Sequence, residues 1–368
     1  MLYFGLLADI AHFWRCNCPS LSTPESCYDP REVSGATMRR REFITFLGSA
    51  AVAWPVASRA QQQPDRVWHL GFLTPRSRPV PPAHDAFSYA FVQGMNELGY
   101  SEPNNLRVEW RYADGDYARL SGFADELVGM GLAVIVTYGT AAARVLKETT
   151  TTVPIVVAAA VDLVGAGIVS SLAHPGGNIT GLSVIDPDIS AKQVQLLRSL
   201  LPNLARVAVL LNPNNSANSL VLEHVAAAAS TVGMATVPVN ATTPKSIDIA
   251  IADAAQQDAR AVIIAADAFF SGQGPQIAAS ALQYRLPTIS PYRDHVSAGC
   301  LMSYGQNVAE FHRRAATYVD KILKGAKPEN LPVEQPSKFD LVINGKTAAT
   351  IGLTIPRELI VSADEVIE

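Results

Sequence analysis

The chain has 368 residues, of which 48% are hydrophobic and 17% are charged, and its formal net charge is −4. This composition is that of a globular protein with enough length for two modest domains. No basic stripe lies in the body of the sequence, which excludes the usual electrostatic footprint of a nucleic-acid-binding protein.

The first predicted element is an export signal that begins at Met38. Three arginines at 39–41 form a charged segment, and residues 43–56 form an apolar one. Small residues then occupy the −3 and −1 positions of a cleavage site between Ala60 and Gln61. The apolar segment is shorter than the roughly 20 residues that a membrane-spanning helix needs. The pattern therefore predicts a cleaved signal and no stable membrane anchor.

The position of this signal sets expectations for the rest of the chain. Because an export signal has to be N-terminal, we expect residues 1–37 to be an over-extended start and residues 38–60 to be the signal peptide. Residues 40–44, RREFI, resemble the twin-arginine export motif. The mature part retains one cysteine, Cys300, which predicts a buried thiol and no internal disulfide. We expect a monomeric protein in the periplasm of a Gram-negative cell.

Short apolar runs alternate with amphipathic stretches from residue 65 onward, which predicts βαβ units. The first half contains predicted strands at 67–74, 106–112, 134–137 and 154–160 and predicted helices at 85–98, 117–130 and 140–149. The second half contains predicted helices at 188–201, 216–232, 246–255 and 274–284 and predicted strands at 207–211, 235–239 and 261–265. Near-continuous apolar strands are typical of parallel sheets that are covered on both faces.

Two successive sets of such units predict an α/β fold with two similar Rossmann-like lobes, each with a parallel sheet. The last part of the sequence continues neither set, and it predicts a chain that crosses between the lobes more than once and forms a hinge. We predict a first lobe of residues 61–182 and 293–328 and a second lobe of residues 183–292 and 329–368.

Ligands of open parallel sheets bind beyond the carboxyl ends of the strands, where helix N-termini offer N–H groups. The candidate ligand-binding residues taken from these positions are Thr74, His84, Asp85, Tyr138, Gly139, Thr140, Ala141, Ala160, Asp162, Asn214, Ser216, Ser219, Asp267 and Tyr292. Gly139 and Thr140 open a helix and suit a carboxylate. Asp162 or Asp267 suits an ammonium, and the two tyrosines suit an apolar side chain. Ordinary turn and cap chemistry explains each single position equally well.

The sequence lacks the common signatures of catalysis. It contains no Walker A motif, no G-x-S-x-G elbow and no H-E-x-x-H motif, and its seven histidines are scattered. We therefore predict a protein that is not an enzyme and that uses no cofactor and no metal. A ligand-sensing domain of a regulatory system remains an alternative, as does a hydrolase or lyase on the same fold.

Three sequence blocks resemble a known family: TVPIVVAAAVDLVGAGIVSSLAHPGGNITGLS at 152–183, VAVLLNPNNSANS at 207–219, and PSKFDLVINGKTAATIGLTIPRELIVSADEVIE at 336–368. With them, nearly all of residues 65–368 resembles the ABC-transporter substrate-binding proteins of the tryptophan/tyrosine-type family, which have the type I periplasmic-binding-protein fold. The resemblance implies a receptor that closes on a small organic solute and delivers it to an ABC permease in the inner membrane. Amino acids, aromatic ones included, are among the candidate solutes. One departure is Asp162-Leu163, where such proteins commonly have Asp-Pro.

Overall fold

A computed structural model describes residues 66–79, 85–184 and 186–368. The predicted leader, the predicted signal peptide with its cleavage site, and His84 lie outside these residues. In the part of the chain that is described, no helix is both long enough and apolar enough to cross a bilayer.

The described residues form strands and helices that alternate along most of the chain. The strands are β1 (Trp68–Thr74), β2 (Leu106–Tyr112), β3 (Val134–Tyr138), β4 (Ile155–Val161), β5 (Ile179–Val184), β6 (Arg206–Leu211), β7 (Ala235–Asn240), β8 (Val262–Ile264), β9 (Thr288–Ser290), β10 (Met302–Gly305), β11 (Asp340–Asn344) and β12 (Glu365–Ile367). The helices are α1 (Ala86–Glu97), α2 (Arg119–Gly129), α3 (Thr140–Thr149), α4 (Asp186–Leu200), α5 (Ala217–Thr231), α6 (Pro244–Gln256), α7 (Gly274–Gln283), α8 (Arg293–Ser297), α9 (Val308–Leu323), α10 (Gly345–Ile351) and α11 (Arg357–Ser362).

The first sheet has the strand order β2-β1-β3-β4-β5, and its neighbouring strands are parallel. Every residue of β4 is buried, as expected for a parallel strand that is covered on both faces. Helix α9 packs against α1 and against β4, although it lies far from both in the sequence. The first lobe therefore needs a segment from the last quarter of the chain to complete its core.

The second sheet has the strand order β12-β11-β10-β9-β8-β6-β7. Its neighbours are parallel except for β10 and β11, which are antiparallel. Cys300 is buried in the core of this lobe beside Ala278 and Leu286. The two parallel-dominated sheets with their covering helices confirm the predicted two-lobed α/β fold.

We propose that the chain moves between the two lobes after β5, after β10 and again before β11. The predicted division assigned residues 293–328 to the first lobe, but β10 pairs with β9 in the second sheet. We therefore propose to place the return crossing at Gln306–Asn307. The next crossing follows Glu334, because that residue still bridges to Leu182 of β5.

The segment HPGGNITG at 174–181 belongs to the first of the three blocks that carry the resemblance, and its hydrogen bonds hold β5 and the crossing beside it in place. Thr180 donates its hydroxyl proton to the carbonyl of Leu331, at 2.6 Å, and Asn178 donates to two carbonyls of the preceding loop. Gly181 has a φ of 136°, and a Cβ at this position would lie 2.1 Å from the carbonyl oxygen of Val157. Only glycine fits such a close approach of two backbones. The block therefore has a structural role in joining the first lobe to the hinge.

Candidate functional site

A small cavity lies between the lobes, at the carboxyl ends of strands from both sheets. Its volume is about 40 Å³, and six of the candidate residues line it: Tyr138, Gly139, Thr140, Ala160, Asp267 and Tyr292. The rest of the lining is mostly apolar and includes Val161, Val184 and Ile189. One water molecule needs roughly 10–15 Å³ of such volume, so this space corresponds to about three waters. A solute of amino-acid size therefore requires the lobes to separate.

Three other candidate residues lie close to the same edge of the first sheet. Thr74 is buried at the end of β1, and its hydroxyl oxygen accepts a hydrogen bond from the backbone N–H of Arg76. Asp85 caps α1, and its carboxylate accepts from the backbone N–H groups of residues 87 and 88. Ala141 belongs to the first turn of α3. None of the three is among the residues that line the cavity.

Four further candidate residues are not among those that line the cavity. Asp162 is half-buried, and its carboxylate accepts from the backbone N–H of Gly165 at 2.8 Å. Asn214, Ser216 and Ser219 are exposed. The geometry therefore does not bring these four side chains to the cavity.

Asp267 is the centre of a buried hydrogen-bond network. Its carboxylate accepts from the hydroxyl of Tyr117 at 2.7 Å, from the side-chain amides of Asn215 at 2.9 Å and Asn212 at 3.2 Å, and from the backbone N–H groups of residues 269 and 270. An ionised carboxylate offers about four lone-pair sites, so these donors use its whole capacity to accept hydrogen bonds. Burial raises the pKa of Asp267, although the donors oppose that shift. The network does not favour Asp267 as the partner of a ligand ammonium.

Three asparagines that were not among the candidate residues form the hydrogen-bonded surroundings of Asp267. Asn212, Asn215 and Asn218 are buried, and Asn218 accepts from the backbone N–H of Asn212 and donates to the carbonyl of Ala266. They are spaced three residues apart in NPNNSAN, at the turn that opens α5. Asn212 and Asn215 precede the helix and Asn218 lies in its first turn, so the regular spacing of three is the sequence signal that sets them apart from their exposed neighbours.

Direct hydrogen bonds join the two lobes across the cavity. Tyr117 of the first lobe donates to Asp267 of the second. Tyr138 of the first lobe donates to the hydroxyl of Tyr292, over 3.5 Å, and Tyr292 in turn donates to the carbonyl of Asp267. Burial raises the pKa of both Tyr117 and Tyr292 well above the ordinary value. These tyrosines stay neutral donors at physiological pH and hold the lobes in contact.

The N-terminus of α3 points its first turn toward the cavity. Gly139 precedes the helix with a φ of 91°, which favours glycine. The hydroxyl of Thr140 is engaged by the backbone of Val161, because it accepts from the N–H at 3.1 Å and donates to the carbonyl at 3.2 Å. The backbone N–H groups of a first helical turn have no intrahelical acceptor and carry a partial positive charge. They are the part of this segment that suits a carboxylate.

Arg76 is a second positive group near this edge, and the sequence reasoning missed it. Its Nη2 forms an ion pair with Asp85 at 3.0 Å, and its guanidinium lies 4.1 Å from the ring centre of Phe87. Its Nη1 is buried without a hydrogen-bond partner. The ring of Phe87 contacts Tyr138, with 5.5 Å between centroids. The sequence does not distinguish Arg76 from the nearby Arg78, and only the fold shows that Arg78 is exposed.

Comparison with known sequences identifies the family to which this two-lobed architecture belongs. Residues 80–367 match the family described as ABC transporter substrate binding protein. The chain belongs to this family. It is therefore the solute-binding component of an ABC transporter.

Individual relatives of this substrate-binding protein cover most of its length. The Tyrosine-binding protein of Clostridioides difficile strain R20291 is 22% identical over 272 residues, which span 74% of this chain and 78% of the relative. The structure of a conserved domain protein from Vibrio cholerae O1 biovar eltor matches with a TM-score of 0.75 and 28% identity, over 82% of this chain and 99% of that one. An ABC domain from Streptococcus pneumoniae, solved in complex with L-Trp, matches with a TM-score of 0.74 and 26% identity, over 82% and 100%.

One buried pair in this substrate-binding protein resembles a nucleophile and its base. Ser290 and Nδ1 of His295 are 2.9 Å apart, while Nε2 of His295 faces the carbonyl of Phe270, also at 2.9 Å. The carbonyl can only accept, so Nε2 carries the proton and Nδ1 accepts from the serine. Burial lowers the pKa of His295 to about 4. Both residues are fully buried and neither lines the cavity, so the pair stabilises the core of the second lobe.

Metal ligation has no candidate in the described part of the chain. There, no group of three or more His, Cys, Asp or Glu side chains is arranged so that it could hold a metal ion.

Proposed function

We propose that this substrate-binding protein captures an aromatic amino acid between its lobes and delivers it, chemically unchanged, to an ABC permease in the inner membrane. The observation that carries the proposal is the mostly apolar cavity, which has Tyr138 on one lobe and Tyr292 on the other. Relatives support the choice of ligand, since one is named a tyrosine-binding protein and another was solved with L-Trp. The engaged geometry of Ser290 and His295 supports a role without catalysis.

The polar end of the ligand has two supports in the first lobe. The first turn of α3 offers the backbone N–H groups of Thr140 and Ala141 for a carboxylate, whereas the N–H of Gly139 already donates to the carbonyl of Ala159. Arg76 adds a buried guanidinium nitrogen with no partner, and an unpaired buried donor of this kind is costly unless an acceptor reaches it. We propose that a ligand carboxylate lies between these two groups when the lobes close.

The protein acts in the periplasm under this proposal, as an unanchored monomer. The support is sequence residues 38–60, with their arginine, apolar and small-residue segments, and the twin-arginine-like RREFI within them. N-terminal sequencing of the exported protein tests the proposal. It is expected to start at Gln61, and a start well away from this residue contradicts the placement of the signal.

A calorimetric and thermal-shift screen of the purified protein tests the ligand assignment. We expect L-tryptophan, L-tyrosine or L-phenylalanine to raise the melting temperature, because binding to the folded state stabilises it by mass action. Arg76→Met is expected to weaken binding of that amino acid at least about 10-fold, in the range of a lost charge-assisted hydrogen bond. The matched control Arg78→Met removes an exposed arginine two residues away and is expected to change affinity less than about 2-fold.

Two results would count against this site. If none of the aromatic amino acids shifts the melting temperature, the ligand assignment is wrong. If the two arginine variants weaken binding equally, general electrostatics rather than a specific contact of Arg76 accounts for the effect.

A further inference from the structure

Gln306 places an unpaired hydrogen-bond acceptor at the cavity. It lies on the return crossing between β10 and α9, and its side chain is among those that line the cavity. The residue is only 5% exposed. Its Nε2 donates to the backbone carbonyl of Pro336, and its Oε1 is buried without a partner.

The orientation of this amide follows from its partner. The carbonyl oxygen of Pro336 can only accept, so the nitrogen of the Gln306 amide has to face it. The remaining atom, Oε1, is therefore an acceptor, and it lacks a donor. A buried acceptor left unpaired carries its full desolvation cost, which a donor group in the cavity would remove.

The other acceptors around the cavity are already engaged. Asp267 receives five hydrogen bonds, as described above. Asp85 receives hydrogen bonds from the N–H groups of residues 87 and 88 and from the hydroxyl of Ser88, and it pairs with Arg76. Among the cavity-lining side chains of the described residues, Gln306 Oε1 is the buried acceptor without a hydrogen-bond partner.

We propose that Gln306 is a ligand-recognition residue whose Oε1 accepts a hydrogen bond from the α-ammonium group of the bound amino acid. The proposal rests on the proposed function, since it takes the ligand to be an amino acid. Gln306 and Pro336 lie on two different crossings between the lobes, and the amide joins them. A bond from the ligand to Oε1 therefore connects the ligand to both hinge strands, which are the segments that move when the lobes close.

Paired probes test this proposal by comparing each amino acid with the analogue that lacks its amino group. The probes are L-tryptophan with indole-3-propionate, and L-tyrosine with 3-(4-hydroxyphenyl)propionate, measured by calorimetry on the purified protein. We expect the wild-type protein to bind the better amino acid about 10- to 100-fold more tightly than its analogue, the range of a hydrogen bond to a charged group. Gln306→Leu is expected to remove most of this preference, because it weakens binding of the amino acid much more than binding of the analogue.

The outcomes separate recognition from a merely structural role. If Gln306→Leu weakens both members of a pair equally, the residue only maintains the hinge and the proposal is overturned. The comparison within the wild type needs no variant, so it can overturn the proposal even if Gln306→Leu does not fold: an analogue that binds as tightly as its amino acid contradicts a hydrogen bond from the ammonium group to Oε1. If neither amino acid binds but another class of solute does, the proposal fails while the receptor function stands.

Discussion

Mild acid is predicted to destabilise this protein through two buried histidines, His295 and His312. Burial lowers the pKa of each from 6.5 to about 4. His295 is held neutral between Ser290 and the carbonyl of Phe270. His312 lies in the first lobe, where its ring stacks on Phe87 with 5.0 Å between centroids. The perturbation is a change of pH from 7.5 to 5.5, which is above the range in which ordinary carboxyl groups titrate.

The sign and size of the effect follow from linkage. Between the folded and unfolded pKa values the unfolded state binds more protons, so stability falls as the pH falls through 6.5 toward 4. With a folded pKa of about 4 for each ring, the loss at pH 5.5 is about 1.4 kcal/mol per histidine, or about 3 kcal/mol for the pair. The raised pKa of Asp267 acts in the opposite direction, because the folded state then binds that proton more tightly than the unfolded state does. Such a change is a large fraction of the roughly 5–15 kcal/mol that stabilises a typical protein.

Urea unfolding at pH 7.5, 6.5 and 5.5 measures this effect as the free energy of unfolding. His312→Phe keeps the ring contacts and removes the titrating group, so it is expected to reduce the pH dependence by about half. His174→Gln changes an exposed histidine and is the matched control, with an unchanged pH dependence. A free energy of unfolding that stays constant within about 0.5 kcal/mol over this pH range, or an equal effect of both variants, would refute the reasoning.

Two further predictions concern lobe closure and the hinge. Tyr117→Phe is expected to raise ligand affinity up to about 10-fold, because its bond to Asp267 holds the lobes in the contact that leaves room for only about three waters, and the variant removes one hydrogen bond to a charged group from that form; calorimetry measures this, and an equal gain in Tyr284→Phe, on the surface, would contradict it. Gly181→Ala is expected to lower the free energy of unfolding by about 3 kcal/mol or more, since the new Cβ collides with Val157. Gly122→Ala, where a Cβ meets nothing within 4 Å, is its control in urea unfolding, and an equal effect of the two would show that the collision is relieved.

The sequence could point to those candidate residues whose place at the cavity follows from their position at the end of a strand or the start of a helix. Tyr138, Gly139 and Thr140 follow a strand and open a helix, and the structure places all three at the cavity. Asp267 lines the cavity, but the sequence could not show that five donors surround its carboxylate. Those donors come from three separate segments, and Tyr117, one of them, belongs to the other lobe.

Side-chain direction within a loop was the main failure. In NPNNSANS the sequence reasoning chose Asn214 and two serines, whereas Asn212, Asn215 and Asn218 are the buried ones. Arg76 was missed for a related reason, since its burial depends on Asp85 and Phe87, which come from the start of α1. A loop residue is buried or exposed according to what packs against it, and that partner is remote in the sequence.

The sequence by itself determined the alternation of strands and helices, the two-lobed parallel architecture and the family, because hydrophobic periodicity and motif blocks are local properties of the chain. The tertiary structure alone decided where the chain crosses between lobes. It placed β10 in the second sheet and α9 in the first lobe, although the two are adjacent in the sequence. It also decided which polar atoms remain free at the cavity, since Gln306 is defined by its contact with Pro336, 30 residues away. Both outcomes depend on pairing between distant segments, and no local pattern specifies such pairing.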